Sequence, residues 1–313
     1  MSDIILHHYP QSPFAEKVRL LLGYKKLSYA AVTIPIIMPK PDLMPLTGGY
    51  RKTPVMQIGA DVYCDTALIC RVIDRMAPEP GIYPPASRAV SAAASHWTDS
   101  VFFRACVTLA FQPHVLAQSD LFQDPDSAKA FMADRAKLTE GAGPLVMDLA
   151  CAQAWFAAHM KLLDRQLAAA PFLFGDSPVL ADFATYHCCW FVHSNELLQE
   201  TFSPFPHVSD WLARMAAFGH GGQRPMTGTE ALDIARDATP SAGEKAATEA
   251  IDHLQIGDEV EVMPTDYGFQ PVRGTLQLSS LDELVVRRTD DRVGEVAVHF
   301  PRAGFQVRKM ADG

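Results

Sequence analysis

The chain opens with an apolar run, Ile4-Ile5-Leu6, that continues through His7-His8-Tyr9 and stops at Pro10, which predicts a short buried strand. Phe14, Val18, Leu21 and Leu22 then recur at helical spacing. Ser12 and Pro13 stand where a helix takes its cap and its first residue, so a helix starts there. Residues 27–34 are β-branched and aromatic and predict a second strand, while Pro35, Pro39, Pro41 and Pro45 keep the next connection irregular. Val55-Met56-Gln57-Ile58 and Asp61-Val62-Tyr63, turned by Gly59-Ala60, predict a hairpin. Pro54 heads its first strand, a position that tolerates proline and can take a cis peptide. Cys64-Asp65-Thr66 leads into a helical pattern through Leu68, Cys70, Val72 and Ile73. Strand, helix, strand, hairpin, helix over residues 1–77 is the order of a small α/β sandwich.

Past a Pro/Gly-rich linker the period is helical over residues 87–237, which predicts a second, all-α domain. Long helices are expected over 91–117 and 150–169, the latter amphipathic through Trp155, Phe156, Met160, Leu163 and Leu167. His96, Trp97, Phe103, Phe111 and His114 are candidates for a pocket wall above the first domain, with core packing as the alternative. The polar stretch 120–143 reads as a loose excursion around a short helix. Residues 219–250, rich in Gly, Ala, Thr and Ser, read as a linker carrying one last helix at 230–237. Polar and apolar positions then alternate in 258–263, 272–278, 283–288, 295–300 and 304–308. These five short strands predict a small all-β, barrel-like module over 255–313. Packing onto the helical domain is its expected placement; a peptide contact or a dimer brace are the other roles open to it.

Composition narrows the function classes. With 48% hydrophobic and 20% charged residues, the 313-residue chain has the profile of an ordinary soluble protein. A formal net charge of −9 argues against nucleic acid and anionic membranes as partners. The tail module, with seven Lys/Arg against ten Asp/Glu, argues the same way. Asp3 and the early histidines interrupt any export signal, and no apolar stretch is long enough to span a bilayer. Six cysteines without Cys-x-x-Cys spacing look like reduced thiols of a cytosolic protein. His7 and His8 face opposite sides of a strand, and His187 and His193 lack one-face spacing, so no metal site is expected.

Two helix starts carry the candidate chemistry. A hydroxyl at Ser12, on the positive end of a helix that follows a strand, is suited to holding an anion, and equally to simple capping. At the next helix start, Asp65 with Thr66 fits both charges of an amino-acid zwitterion: the carboxylate takes the ammonium, the hydroxyl and the helix end take the acid group. A plain Asp cap is the local alternative.

Taken as a set, the Ser12-Pro13-Phe14-Ala15-Glu16-Lys17-Val18-Arg19 helix, Thr53-Pro54-Val55 before a hairpin, and the acidic-hydroxyl pair Asp65-Thr66 resemble the glutathione-binding domain of a glutathione transferase, a thioredoxin-like fold. A second signature, Gly175 through Ala181-Asp182, resembles the start of the family's buried helix. Val179 stands where that helix's capping hydroxyl belongs, and Asp182 is read as structural. The resemblance covers the first two thirds of the chain and implies that 87–237 is the family's helical domain. It implies glutathione as co-substrate, contacted by Thr53, Pro54, Asp65 and Thr66 and by the Val55 backbone at its cysteinyl part, a small electrophile as the other substrate, no metal, a homodimer and a cytoplasmic location. Ser12 has the spacing of the serine-type members, whose hydroxyl stabilises the glutathione thiolate. An ordinary thiol has a pKa of about 8.5, and a drop of roughly two units is worth about 2.7 kcal/mol. The wording around Ser12 is nearest the omega class, which has cysteine there; without that thiol, mixed-disulfide chemistry is not available at this position. Tyr9 is a rival donor, and Cys64 a less favoured nucleophile. The alternative function is a non-catalytic, transferase-like scaffold that binds a protein partner through the β module.

Overall fold

The computed structural model describes residues 3–118, 124–241 and 253–310. In the first domain, β1 (Ile4–His8) leads to α1 (Pro13–Tyr24), β2 (Ser28–Thr33), the single turn α2 (Met44–Thr47), the hairpin β3 (Val55–Ile58) and β4 (Asp61–Cys64), and α3 (Thr66–Met76). β1 lies between β2, parallel to it, and β3, antiparallel to it. The Thr53–Pro54 peptide is cis. This is the thioredoxin-like sandwich expected from the sequence.

The helical layer begins with α4 (Arg88–Trp97), passes through a π-helical turn at Thr98–Phe102 into α5 (Phe103–Ala110), and continues with α6 (Pro113–Leu116), α7 (Pro125–Leu138), α8 (Leu149–Leu167), α9 (Leu180–His193) and α10 (Pro206–Ala216). Leu6, Val18 and Leu21 of the first domain share one apolar cluster with Phe102, Phe156, Phe183 and Trp211, so the two layers have a common core. Asp182 is fully buried and accepts from the Leu173 and Val179 N–H groups, both at 3.0 Å, and from Trp211 Nε1 at 3.1 Å. Only half of a capping box is present, because the Val179 side chain has no oxygen to return the bond. At 14 residues, α7 is longer than the short helix expected, since Asp124 caps it through the Ser127 N–H at 2.7 Å.

The stretch read as a linker divides in two. Its first part holds β5 (Gly222–Met226), parallel to β2, and α11 (Gly228–Asp237), which is capped by Thr227 and Glu230. Gln57 Nε2 ties α11 to the sheet by donating to Ala231 O at 2.8 Å. Residues 242–250 of that expected linker lie outside the described residues.

All five tail strands are present: β6 (Glu259–Pro264), β7 (Val272–Ser279), β8 (Glu283–Asp290), β9 (Gly294–Pro301) and β10 (Phe305–Lys309). They do not rest on the helical layer as expected. β9 pairs in parallel with β4, Val62 opposite Val298, with the Ala297 N–H donating to Ala60 O at 3.0 Å. Among the described residues, one sheet therefore runs β10-β6-β7-β8-β9-β4-β3-β1-β2-β5. The physical reason is the open edge of β4, whose backbone groups need partners that helices cannot supply. Ile5, Val55 and Val62 form a second apolar cluster with Val260, Val286, Val298 and Phe300 across this join. His299 of β9 crosses it as well, its Nδ1 at 2.7 Å from Glu283 and its Nε2 at 2.9 Å from Asp61.

Candidate functional site

A cavity of about 990 Å³ lies between the α/β layer and the helices, and Ser12, Thr53, Pro54, Asp65 and Thr66 all line it. Ser12 caps α1: its Oγ accepts from the Ala15 N–H at 3.2 Å, and its hydroxyl keeps a hydrogen to donate, with the Tyr9 phenol as a neighbouring partner. The Tyr9 phenol stands beside Ser12, and burial raises its pKa. Asp65 has φ of 74° and ψ of 135°, a region that side-chain-bearing residues avoid, and its Oδ1 is fixed by the Ala67 N–H at 2.8 Å. Such backbone strain persists where the surroundings over-determine it, and it clusters at ligand sites. The Val55 side chain falls outside the wall. Strand partners flank the residue on both sides, and its side chain is fully buried, whereas Thr53, on the near side of the cis bond, reaches the cavity.

A charged network that was not legible in the sequence runs beneath this floor and reaches the cavity at Asp99. Lys17, 1% exposed, places Nζ at 2.6 Å from Asp99 and 3.4 Å from Thr66 Oγ1. Asp99 also meets His187 Nε2 at 2.8 Å. Burial pulls the Lys17 ammonium down, but Asp99 outweighs it and the pKa ends above its ordinary value. Burial likewise pulls His187 down, while Cys188 and Asp99 bring it up to about 9. Asp99 sits on the π-helical turn, where the wider winding changes the direction of the side chains. The lysine, the one local hint, lies on the same helix as Ser12.

Of the aromatic and histidine candidates, Phe103 and Phe111 line the cavity. Trp97 packs instead among Phe102, Trp155 and His159, and His96 and His114 are exposed. Phe131, Trp190 and Phe191 complete the apolar wall. Cys64 is fully buried and lies outside the cavity wall, and desolvation followed by the charge of Asp65 pushes its thiol well above the usual range, which keeps it protonated.

The tail reaches the site. Asp266 and Tyr267, in the loop between β6 and β7, line the same cavity. Asp266 Oδ1 is 2.6 Å from Lys52 Nζ, which also lies 3.9 Å from the centre of the Tyr267 ring. The Gly268 N–H anchors this loop to Leu138 O at 2.9 Å.

The family model for the glutathione S-transferase N-terminal domain matches residues 6–81, and that for the C-terminal domain matches residues 133–214. A GST-like protein from Pseudomonas syringae is 38% identical, with a TM-score of 0.83; the match covers 99% of this chain and 100% of that one, so it includes the tail. A glutathione S-transferase from Rhodospirillum rubrum, 20% identical with a TM-score of 0.51, shares the fold over 68% of this chain and 88% of its own. FzlA from C. crescentus, also 20% identical with a TM-score of 0.50, shares it over 69% of this chain and 88% of its own. No curated protein matches the chain.

Proposed function

Because this chain belongs to the glutathione S-transferase family, we propose that it binds glutathione along the floor of the cavity and transfers the thiolate to a small electrophile held among the helices. The supporting observation is the gathering of Ser12, Thr53, Pro54, Asp65 and Thr66 on one wall. Asp65 takes the ammonium of the γ-glutamyl end, Thr66 and the start of α3 its carboxylate, and Thr53 lies beside the cysteinyl part. The Ser12 hydrogen, free of the cap bond, donates to the sulfur, and the positive end of α1 adds to the stabilisation. The thiol proton is released to solvent; the thiolate then forms a carbon–sulfur bond as the bond to the leaving group breaks and that group departs with the electron pair, or, in an addition, as the product takes a proton from solvent.

Ser12→Ala is expected to lower turnover of chlorodinitrobenzene about tenfold, one charge-assisted hydrogen bond's worth. Calorimetry should find glutathione affinity within about a factor of two of wild type. Ser12→Gly, which keeps most of the capping, should show the same kinetic loss with a smaller loss of stability. Unchanged turnover in both variants removes Ser12 from the mechanism.

The non-catalytic scaffold remains a second reading because Asp266 already occupies Lys52 at the site. Asp266→Asn is expected to tighten glutathione binding about two- to fivefold, as befits a half-exposed pair. No saturable heat with either protein favours the scaffold. A cytoplasmic homodimer belongs to the proposal: all six cysteines are unpaired, and α8 exposes Trp155 and Leu162, seven residues apart on one face. Among the described residues no helix is long and apolar enough to cross a membrane. Sedimentation equilibrium reads the oligomeric state.

A further inference from the structure

Two helical stripes form the upper wall of the cavity: Arg104, Val107 and Phe111 along α5 and its end, and Phe131, Arg135 and Leu138 along α7. They meet where Phe111 and Phe131 pack edge to face, with ring centres 5.5 Å apart. Each stripe sets one arginine among apolar groups, and the two arginines differ in their partners. Arg135 donates through Nη2 to Ile36 O at 2.7 Å, approaches Asp134 at 3.2 Å and lies over the Phe131 ring at 4.8 Å. The Arg104 guanidinium has no hydrogen bond or ion pair among the described residues, and its Nε is buried without a partner. The acids lining the cavity are engaged elsewhere or face solvent: Asp99 holds Lys17 and His187, Asp266 holds Lys52, Asp65 caps α3, and Glu196 is exposed.

A guanidinium whose Nε is buried without a partner, and that has no acid paired with it among the described residues, is poorly satisfied, and an organic anion with an apolar body supplies what it lacks. We propose that Arg104 is the anchor for an acceptor carrying a carboxylate, sulfonate or phosphate on an aromatic or similarly apolar body. The unpartnered Nε of Arg135 offers a second donor, and the rings of Phe103, Phe111 and Phe131 take the body. This inference rests on the reading of the upper cavity as the acceptor site of a transferase.

Fluorescence titration of the full chain with anilinonaphthalene sulfonate and with its uncharged counterpart N-phenylnaphthylamine tests it without requiring turnover. Arg104→Gln is expected to weaken the sulfonate dye about 10- to 100-fold, the range for a hydrogen bond to a charged group. The neutral dye should change by less than about twofold, which also shows that the cavity is intact. Arg104→Lys should fall between, keeping the charge and losing the planar fork. Equal losses for the two dyes, or none for the sulfonate, overturn the proposal. Glutathione calorimetry on the same proteins keeps the two ideas apart. Dye discrimination without glutathione heat leaves the anion site standing and removes the transferase reading; glutathione heat without discrimination does the reverse.

Discussion

His299→Leu is expected to lower the free energy of unfolding by about 3 kcal/mol and the melting temperature by roughly 5 to 10 °C. The ring is 4% exposed and stands between two carboxylates, Glu283 at 2.7 Å on β8 and Asp61 at 2.9 Å on β4. Leucine keeps the apolar contact that the imidazole makes with the Tyr63 ring, at 4.4 Å, but removes the cation that stands between the two acids. Ser241, through N–H and Oγ at 2.9 Å each, still serves Asp61, and Arg75 at 3.6 Å still serves Glu283, which keeps the loss toward the lower end for a broken buried pair. Burial pulls the His299 ring down, and its bonds to Asp61 and Glu283 outweigh that, so it titrates above 6.5. Burial pushes Glu283 up, and His299 outweighs that, so it titrates below 4.5. The cation's contribution is complete below pH 6.5 and is lost as pH rises through the folded value; the carboxylate's is complete above 4.5 and is lost as pH falls through its folded value. The stability difference between wild type and His299→Leu, followed by thermal melts, should therefore be greatest between these two pH values and shrink on either side. A difference that does not vary with pH would show that the triad does not hold the join.

What the sequence disclosed of the site is what is encoded locally. Ser12-Pro13 and Asp65-Thr66 announce helix starts whatever the rest of the chain does, and both starts face the cavity. The tail strands were legible for a similar reason, since alternation survives in any half-buried sheet. Pairing between distant segments was not. Gly222-Gln223-Arg224-Pro225-Met226 has no β-branched residue and contains a proline, yet it is a strand because the free edge of β2 supplies the partners. Val298 beside Val62 is a pairing across more than two hundred residues, decided by which edge was left open. The contribution of Asp266 and Tyr267 follows from that join: once β9 lies against β4, the β6–β7 loop comes to rest at Lys52. Which way the Val55 side chain points was likewise decided by strand pairing, which turns it into the core while Thr53 lines the cavity.

Lys17→Met, the second large effect, is expected to cost about 3 kcal/mol of stability and to weaken glutathione binding roughly tenfold. The two boundaries of this molecule are held by triads of opposite construction. At the join to the tail a cation stands between two acids. At the join between layers an acid, Asp99, stands between two cations, Lys17 of α1 and His187 of α9. Methionine fills the space of the lysine stem but leaves Asp99 with His187 alone, and removes the ammonium that lies 3.4 Å from Thr66 in the cavity wall. The His187 contribution is complete below pH 6.5 and is lost as pH rises through about 9, with Asp99 as the partner that matters because Cys188 keeps its proton there. In wild type Lys17, titrating above 10.5, still neutralises Asp99 after the histidine has lost its proton. In Lys17→Met nothing does, so the melting temperature of the variant should fall more steeply than that of wild type as pH passes 9. Parallel pH profiles would mean that Asp99 is neutralised from elsewhere. A steeper fall with unchanged glutathione affinity would confine the triad to docking the layers and detach it from the proposed glutathione site.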